Sequence, residues 1–144
     1  MDTVSRLTEF VVNHWALSLS FVAVLILLIA NEVRSRLYGA PQLGPHAATQ
    51  TINDEDAVVL DVREDREFQQ GHIANAVHIP LGQLNKRLSD LEKFRDRTLV
   101  AYCRSGQRSN SAAALLRKQG FASVYNLAGG IVAWQNANLP VTKK

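Results

Sequence analysis

The sequence predicts an α/β fold, a mostly parallel sheet flanked by helices, preceded by one N-terminal transmembrane helix. Three observations carry that expectation. Residues 15–30, WALSLSFVAVLILLIA, form an uncharged apolar run close to the amino terminus. Beyond Pro45, short apolar runs alternate with amphipathic ones, the order expected of strands joined by helices. The short runs are continuously apolar, as in Ala57-Val58-Val59-Leu60, which is the pattern of strands covered on both faces.

The first element is the apolar run. Counted back to Phe10, with Asn13 and His14 near one interface, it is long enough to cross roughly 30 Å of hydrocarbon. Leu28, Ile29 and Ala30 lead straight into Asn31-Glu32-Val33-Arg34, without the small-residue pattern of a signal-peptide cleavage site. The expectation is an uncleaved anchor over 1–37, spanning from about 10 to 30. Arg34 and Arg36 follow the span, against Arg6 and the amino terminus before it, so the charge bias places the C-terminal side in the cytoplasm. That compartment also keeps a lone thiol reduced.

Residues 38–45, YGAPQLGP, contain two Gly and two Pro and read as a linker. The domain is expected over 46–140, with 141–144 as a tail. Its first strand, Ala57 to Leu60, opens onto Asp61-Val62-Arg63. A short helix follows, with Glu64 and Asp65 in its first turn and Gly71 at its stop. Ala76-Val77-His78-Ile79 is the second strand, ended by Pro80. Leu81, Leu84, Leu88 and Leu91 then recur at helical spacing, with Lys86, Arg87, Asp90 and Glu92 on the other face. The third strand, Thr98-Leu99-Val100-Ala101-Tyr102, delivers Cys103 at its carboxyl end. A helix over 109–119 stops at Gly120. Val124-Tyr125-Asn126-Leu127 is the fourth strand, and a last helix over 131–137 turns Trp134 inward.

The 144 residues suffice for one domain plus an appendage. A net charge of +3 arises from basic residues scattered along the chain, which fits a surface near an anionic membrane and gives no nucleic-acid footprint. The single Cys excludes an internal disulfide and any multi-thiolate zinc site. His14, His46, His72 and His78 show no metal-ligand spacing, so no metal or organic cofactor is expected.

The chemistry concentrates in YCRSGQRS, residues 102–109. In an open α/β sheet, ligands bind beyond the carboxyl ends of strands, where Cys103 falls. A short loop leading into a helix turns backbone N–H groups toward the sulfur, Gly106 permits the curl, and Arg104 and Arg108 add permanent positive charge. All three effects favour a thiolate nucleophile.

CRSGQRS, with VVLDVRE and EFQQGHIANAVHIP upstream and LAGGIVAW downstream, resembles the single-domain rhodanese (thiosulfate sulfurtransferase-like) family over about residues 41–140. An anchor followed directly by such a domain is similar to bacterial inner-membrane proteins of the YibN type. The resemblance implies a rhodanese-like fold and a Cys103 that carries sulfur as a persulfide. It implies an anionic sulfur donor held by Arg104 and Arg108, a pocket shaped by Ser105, Gly106, Gln107 and Ser109, and a thiol or cyanide acceptor. Asp61 and Arg63, at the end of a neighbouring strand, can face the same loop, but in this family their positions more often support the scaffold by ion pairing and hydrogen bonding. His72 resembles a family signature position and reads as a satisfied, partly buried histidine. Gly129 and Gly130 look like close-packing glycines ahead of the last helix.

Cysteine-dependent phosphatases share the placement but use C-x5-R, usually with His before the Cys. Here Cys103 to Arg108 is C-x4-R, preceded by Tyr102, and the tighter ring suits a single sulfur better than a tetrahedral phosphate. The expected function is a sulfurtransferase anchored in the inner (plasma) membrane, its domain in the cytoplasm. The alternative is a membrane-tethered interaction module that docks a membrane partner.

Overall fold

In a computed structural model the chain divides into two compact units, Met1–Tyr38 and Gly39–Lys144. The structure describes residues 2–144, without the side chains of Ser35, Arg36 and Tyr38. The amino terminus and the Arg36 charge that enter the orientation reading therefore lie outside the described residues.

The first unit is two helices, α1 (Thr3–Asn13) and α2 (Trp15–Tyr38). They are interrupted at His14, whose φ of −121° and ψ of 39° leave the helical region. Asn13 and His14 are both weak helix formers. The uninterrupted stretch apolar and long enough to cross a membrane is therefore Trp15–Arg34, 20 residues, and does not begin at Phe10. None of this stretch is buried, which sets it apart from the core helix of a soluble protein.

The second unit is an α/β domain on a five-stranded, wholly parallel sheet of order β1-β5-β4-β2-β3. The strands are β1 (Gln42–Leu43), β2 (Val58–Asp61), β3 (Val77–His78), β4 (Thr98–Tyr102) and β5 (Ser123–Leu127). Helices α3 (Pro45–Asp54), α4 (Asp65–Gln70), α5 (Leu81–Leu84), α6 (Gln107–Lys118) and α7 (Gly130–Asn136) join them.

Strands β2 to β5 fall where the apolar runs place them. The stretch read as a linker contains β1, with Gln42 and Leu43 in register with Asn126 and Leu127. Two residues carry no periodicity of their own, and only the edge of β5 makes them a strand. Helix α3 begins with a Pro in its first turn and buries only Ala48, too little for an apolar stripe to announce it. The single helix expected through Leu81, Leu84, Leu88 and Leu91 is instead α5 and a separate 3₁₀ helix, Leu88–Phe94. Gly82 and Asn85 are weak helix formers, and Arg87 at φ −113°, ψ 21° breaks the ladder. Leu84 and Leu91 still reach the core.

Because successive strand residues face opposite sides, β4 serves two cores. Leu99, Ala101 and Cys103 pack with Val58 and Leu60 against Ala112, Ala113 and Leu116 of α6. Val100 and Tyr102 pack with Val59 and Leu127 against Ala48, Ile131 and Trp134. The alternation thus hands Cys103 to the face on which α6 begins.

Candidate active site

Cys103 follows the central strand β4 and is 1% exposed. The chain then turns through Arg104, Ser105 and Gly106, and α6 starts at Gln107, two residues earlier than the expected 109. The cause is Gly106, which stands at φ +98° as the residue before the helix, a conformation costly for any residue with a side chain. Gln107, Arg108 and Ser109 therefore belong to the first turn of α6 and not to the loop.

The sulfur sits inside this turn. The Gly106 N–H donates to Sγ at 3.1 Å, and the Ser109 hydroxyl lies 3.3 Å from it. Burial works against the charged form, but hydrogen bonds from the Ser109 side chain and from the N–H groups of Ser109, Gly106 and Ser105 outweigh it. The thiol is held below its ordinary 9.0.

The two arginines part company. Arg104 is exposed at the rim, and among the described residues no hydrogen bond or ion pair holds its side chain. Arg108 is clasped by Glu67 of α4 through two parallel bonds, Nη1 to Oε2 and Nη2 to Oε1, each 2.8 Å. Arg108 therefore reaches the Cys103 charge as one half of an ion pair with Glu67, a partner that the sequence alone does not show. Gln107 is exposed at the same rim.

Glu67 is a site residue that the sequence reading missed, although a signal was present. Glu64 and Glu67 stand three apart at the start of α4 and form a capping box, with Glu67 Oε2 accepting the Glu64 N–H at 3.1 Å. The hydrogen bonds from Arg108 pull the Glu67 carboxyl from its ordinary 4.5 down to about 2, against a smaller opposing effect of burial. A carboxyl shifted downward stabilises the fold fully above its ordinary value and loses that contribution as pH falls through its folded value. We expect Glu67→Gln to unfold at lower urea concentration than wild type at neutral pH. That difference should narrow as the pH is taken from 4.5 toward about 2, followed by urea titrations at successive pH values; a gap that stays constant would refute the pair's role.

Asp61 and Arg63 form a buried pair on the opposite side of β4. Arg63 Nη2 donates to Asp61 Oδ2 at 2.7 Å and to the Gly71 carbonyl at 2.7 Å. Its guanidinium lies over the Tyr102 ring, 5.4 Å from the centroid, and the Tyr102 hydroxyl accepts the Ile73 N–H at 3.0 Å. Among the described residues neither side chain hydrogen-bonds to the Cys103 loop. His72 is buried, with Nδ1 2.9 Å from the Phe68 carbonyl and Nε2 2.9 Å from the Lys144 carbonyl. Its backbone pairs with Thr142. His72 thus ties the segment read as a tail, 141–144, to the domain and does not reach the sulfur.

Two further residues complete the cradle. Asn126 of β5 donates through Nδ2 to the Gly106 carbonyl and to Gln42 Oε1, each at 2.9 Å, and its Oδ1 is 2.5 Å from the Ser109 hydroxyl. Its signal in the sequence is an amide side chain in the second-last position of a strand, directly before the buried Leu127. Gly130 stands at φ +61°, where a Cβ would collide with the backbone of Cys103 and Arg104. The close approach lets the N–H groups of Ile131 and Val132 cap the Cys103 and Arg104 carbonyls at 2.9 and 3.3 Å. The result is a donor-lined socket around Sγ with the exposed Arg104 next to it in the chain, suited to nucleophilic attack on a small anion and to carrying a small group on sulfur.

The domain is similar to known proteins. Residues 44–137 match the family described as "Rhodanese-like domain". The chain is 31% identical over 139 residues to the protein YibN of Escherichia coli (strain K12), covering 96% of this chain and 97% of that one. It is 40% identical over 101 residues to a sulfurtransferase of Allochromatium vinosum, covering 69% and 92%. The crystal structure of a rhodanese-related protein from Thermoplasma volcanium superposes with a TM-score of 0.66 at 31% identity, covering 72% of this chain and 99% of that chain.

Proposed function

The chain belongs to the rhodanese-like domain family, and from that premise we propose that it is a membrane-anchored sulfurtransferase carrying sulfane sulfur on Cys103 as a persulfide. Sulfur transfer as the reaction class follows from the family and from its sulfurtransferase relatives. The observation that carries the reading is the socket: a single thiol, lowered below its ordinary range, with donors at 3.1 and 3.3 Å from sulfur.

The Cys103 thiolate attacks the outer sulfur of a donor such as thiosulfate. A Cys103–sulfur bond forms, the donor's S–S bond breaks, and sulfite leaves with the electron pair. The persulfide's negative charge then rests on its outer sulfur, near the N–H groups of Ser105 and Gly106, which act there as preorganised donors. A thiolate or cyanide attacks that outer sulfur and returns Cys103 as thiolate, completing a two-stroke cycle. The donors that hold the thiol below its ordinary range ease its ionisation, and the cycle assigns no residue as general base.

Arg104 is the cation with which an anionic donor first makes contact, whereas the Arg108 charge is balanced by Glu67. Glu67→Gln removes one negative charge from the pocket's flank. It is expected to lower KM for thiosulfate about threefold to tenfold at low ionic strength, with the gain shrinking as salt is added. Steady-state kinetics across a salt series check this; an unchanged or raised KM refutes it.

The anchor is α2, whose Trp15–Arg34 segment is long and apolar enough to span. Trp15 would then mark one interface and Arg34 the cytoplasmic one, where the domain works in a reducing compartment. The test is intact-mass spectrometry of the full chain in detergent before and after thiosulfate. Gain of one sulfur atom, reversed by cyanide, is the expected result. Failure of folded protein to gain sulfur would sink transfer from thiosulfate and favour the tethered interaction module.

A further inference from the structure

Around the Cys103 sulfur there are more acceptors than there are hydrogens to give them. The Ser109 hydroxyl has one hydrogen and two neighbours within reach, Cys103 Sγ at 3.3 Å and Asn126 Oδ1 at 2.5 Å. The Asn126 amide cannot turn to relieve the competition. Both Nδ2 hydrogens are taken, by the Gly106 carbonyl and by Gln42 Oε1, each at 2.9 Å, so Oδ1 is held toward Ser109. Asn126 is 2% exposed and Ser109 is fully buried; among the described residues no other donor is recorded at Oδ1.

We propose that Asn126 is a positioning residue that competes with Cys103 for the Ser109 hydroxyl hydrogen, so that this hydrogen occupies two alternative positions during the reaction. While Cys103 is a thiol, its S–H donates to Ser109 Oγ and the Ser109 hydroxyl donates to Asn126 Oδ1, leaving every group satisfied. When the thiol proton departs to water, the hydroxyl rotates and donates to the thiolate, and the buried Asn126 Oδ1 loses its donor. Once Cys103 carries a second sulfur, the negative charge lies on the outer atom and the hydroxyl returns to Asn126. The residue thereby opposes the bare thiolate and favours the loaded state. Among the described residues, Asn126 reaches Cys103 through Ser109 and through the Gly106 carbonyl alone.

The last consequence rests on the sulfur-carrier reading, but the device itself does not. It is tested without any sulfur donor, by the pH dependence of Cys103 alkylation with iodoacetamide in the detergent-solubilised full chain. Wild type, Asn126→Ala, Ser109→Ala and the double variant form a cycle. The other charged groups near the sulfur, namely Arg104, Arg108 with Glu67 of α4, and the Asp61–Arg63 pair of β2, are the same in all four. Loss of the Gly106 carbonyl contact is common to both Asn126→Ala variants and cancels.

The expected result is that Asn126→Ala moves the alkylation midpoint lower when Ser109 is present than when it is absent, by about half to one pH unit. Equal shifts in the two backgrounds, or the opposite sign, would overturn the proposal and leave Asn126 a scaffold residue. If Asn126→Ala does not fold, Asn126→Leu keeps the side-chain volume and takes its place in the cycle. Either outcome leaves the sulfur-loading result by mass spectrometry standing on its own.

Discussion

Cys103→Ser is expected to take up no sulfur from thiosulfate and to lower transfer to cyanide by about four orders of magnitude or more. The substitution changes little except the nucleophile. Cys103 is 1% exposed in a socket of backbone donors, and a hydroxyl there keeps nearly the same volume and accepts the same Gly106 N–H. A serine hydroxyl, however, ionises far outside the range that these donors bridge, and an oxygen nucleophile attacks sulfane sulfur poorly. The chain has one Cys, so no second thiol rescues the reaction. Thiocyanate production and intact mass provide the readout, with the thermal unfolding midpoint as a check that the fold is intact. A folded Cys103→Ser protein that still gains sulfur would place the carrier elsewhere and overturn the mechanism.

The largest effect on stability is expected from Asp61→Ala. Asp61 is fully buried and accepts from the Arg63 backbone N–H, from Nε and from Nη2. Arg63 is itself 5% exposed, and removing the carboxylate strands its charge beside the apolar face that holds Ile73 and Tyr102. Breaking a buried pair from one side costs about 3–5 kcal/mol, more than the pair itself contributes relative to apolar replacements. The double replacement Asp61→Leu with Arg63→Met should therefore recover most of the loss. Urea unfolding followed by Trp134 fluorescence in a Trp15→Phe background measures both. A single variant within about 1 kcal/mol of wild type would show that Arg63 finds water or another partner when Asp61 is gone. Among the described residues neither side chain hydrogen-bonds to the loop, so the surviving folded fraction should load sulfur normally.

The elements most legible in the sequence were those whose own side chains specify them. The β4 run is apolar from Leu99 to Ala101 and occupies the middle of the sheet, so burial on both faces and the sequence pattern agree. Gly106 was legible because only one residue type tolerates φ +98° without strain. By contrast β1 and α3 carry little pattern, since β1 exists by pairing with β5 and α3 buries one alanine. The leucine heptad-like run 81–91 has helical spacing, yet weak helix formers and tertiary packing divide it.

By itself, then, the sequence determined the sheet's core strands, the apolar helix at the amino terminus and a thiol at the head of a helix, because each depends on residues adjacent in the chain. What only the tertiary structure decided is which distant groups meet at that thiol. Glu67 joins Arg108 across 41 positions, and Asn126 joins Gly106 and Ser109 across 20 and 17. Those partnerships depend on strand order and on the close approach of Gly130 to the loop. They come from packing at the carboxyl edge of the sheet, for which hydrophobic periodicity holds no record.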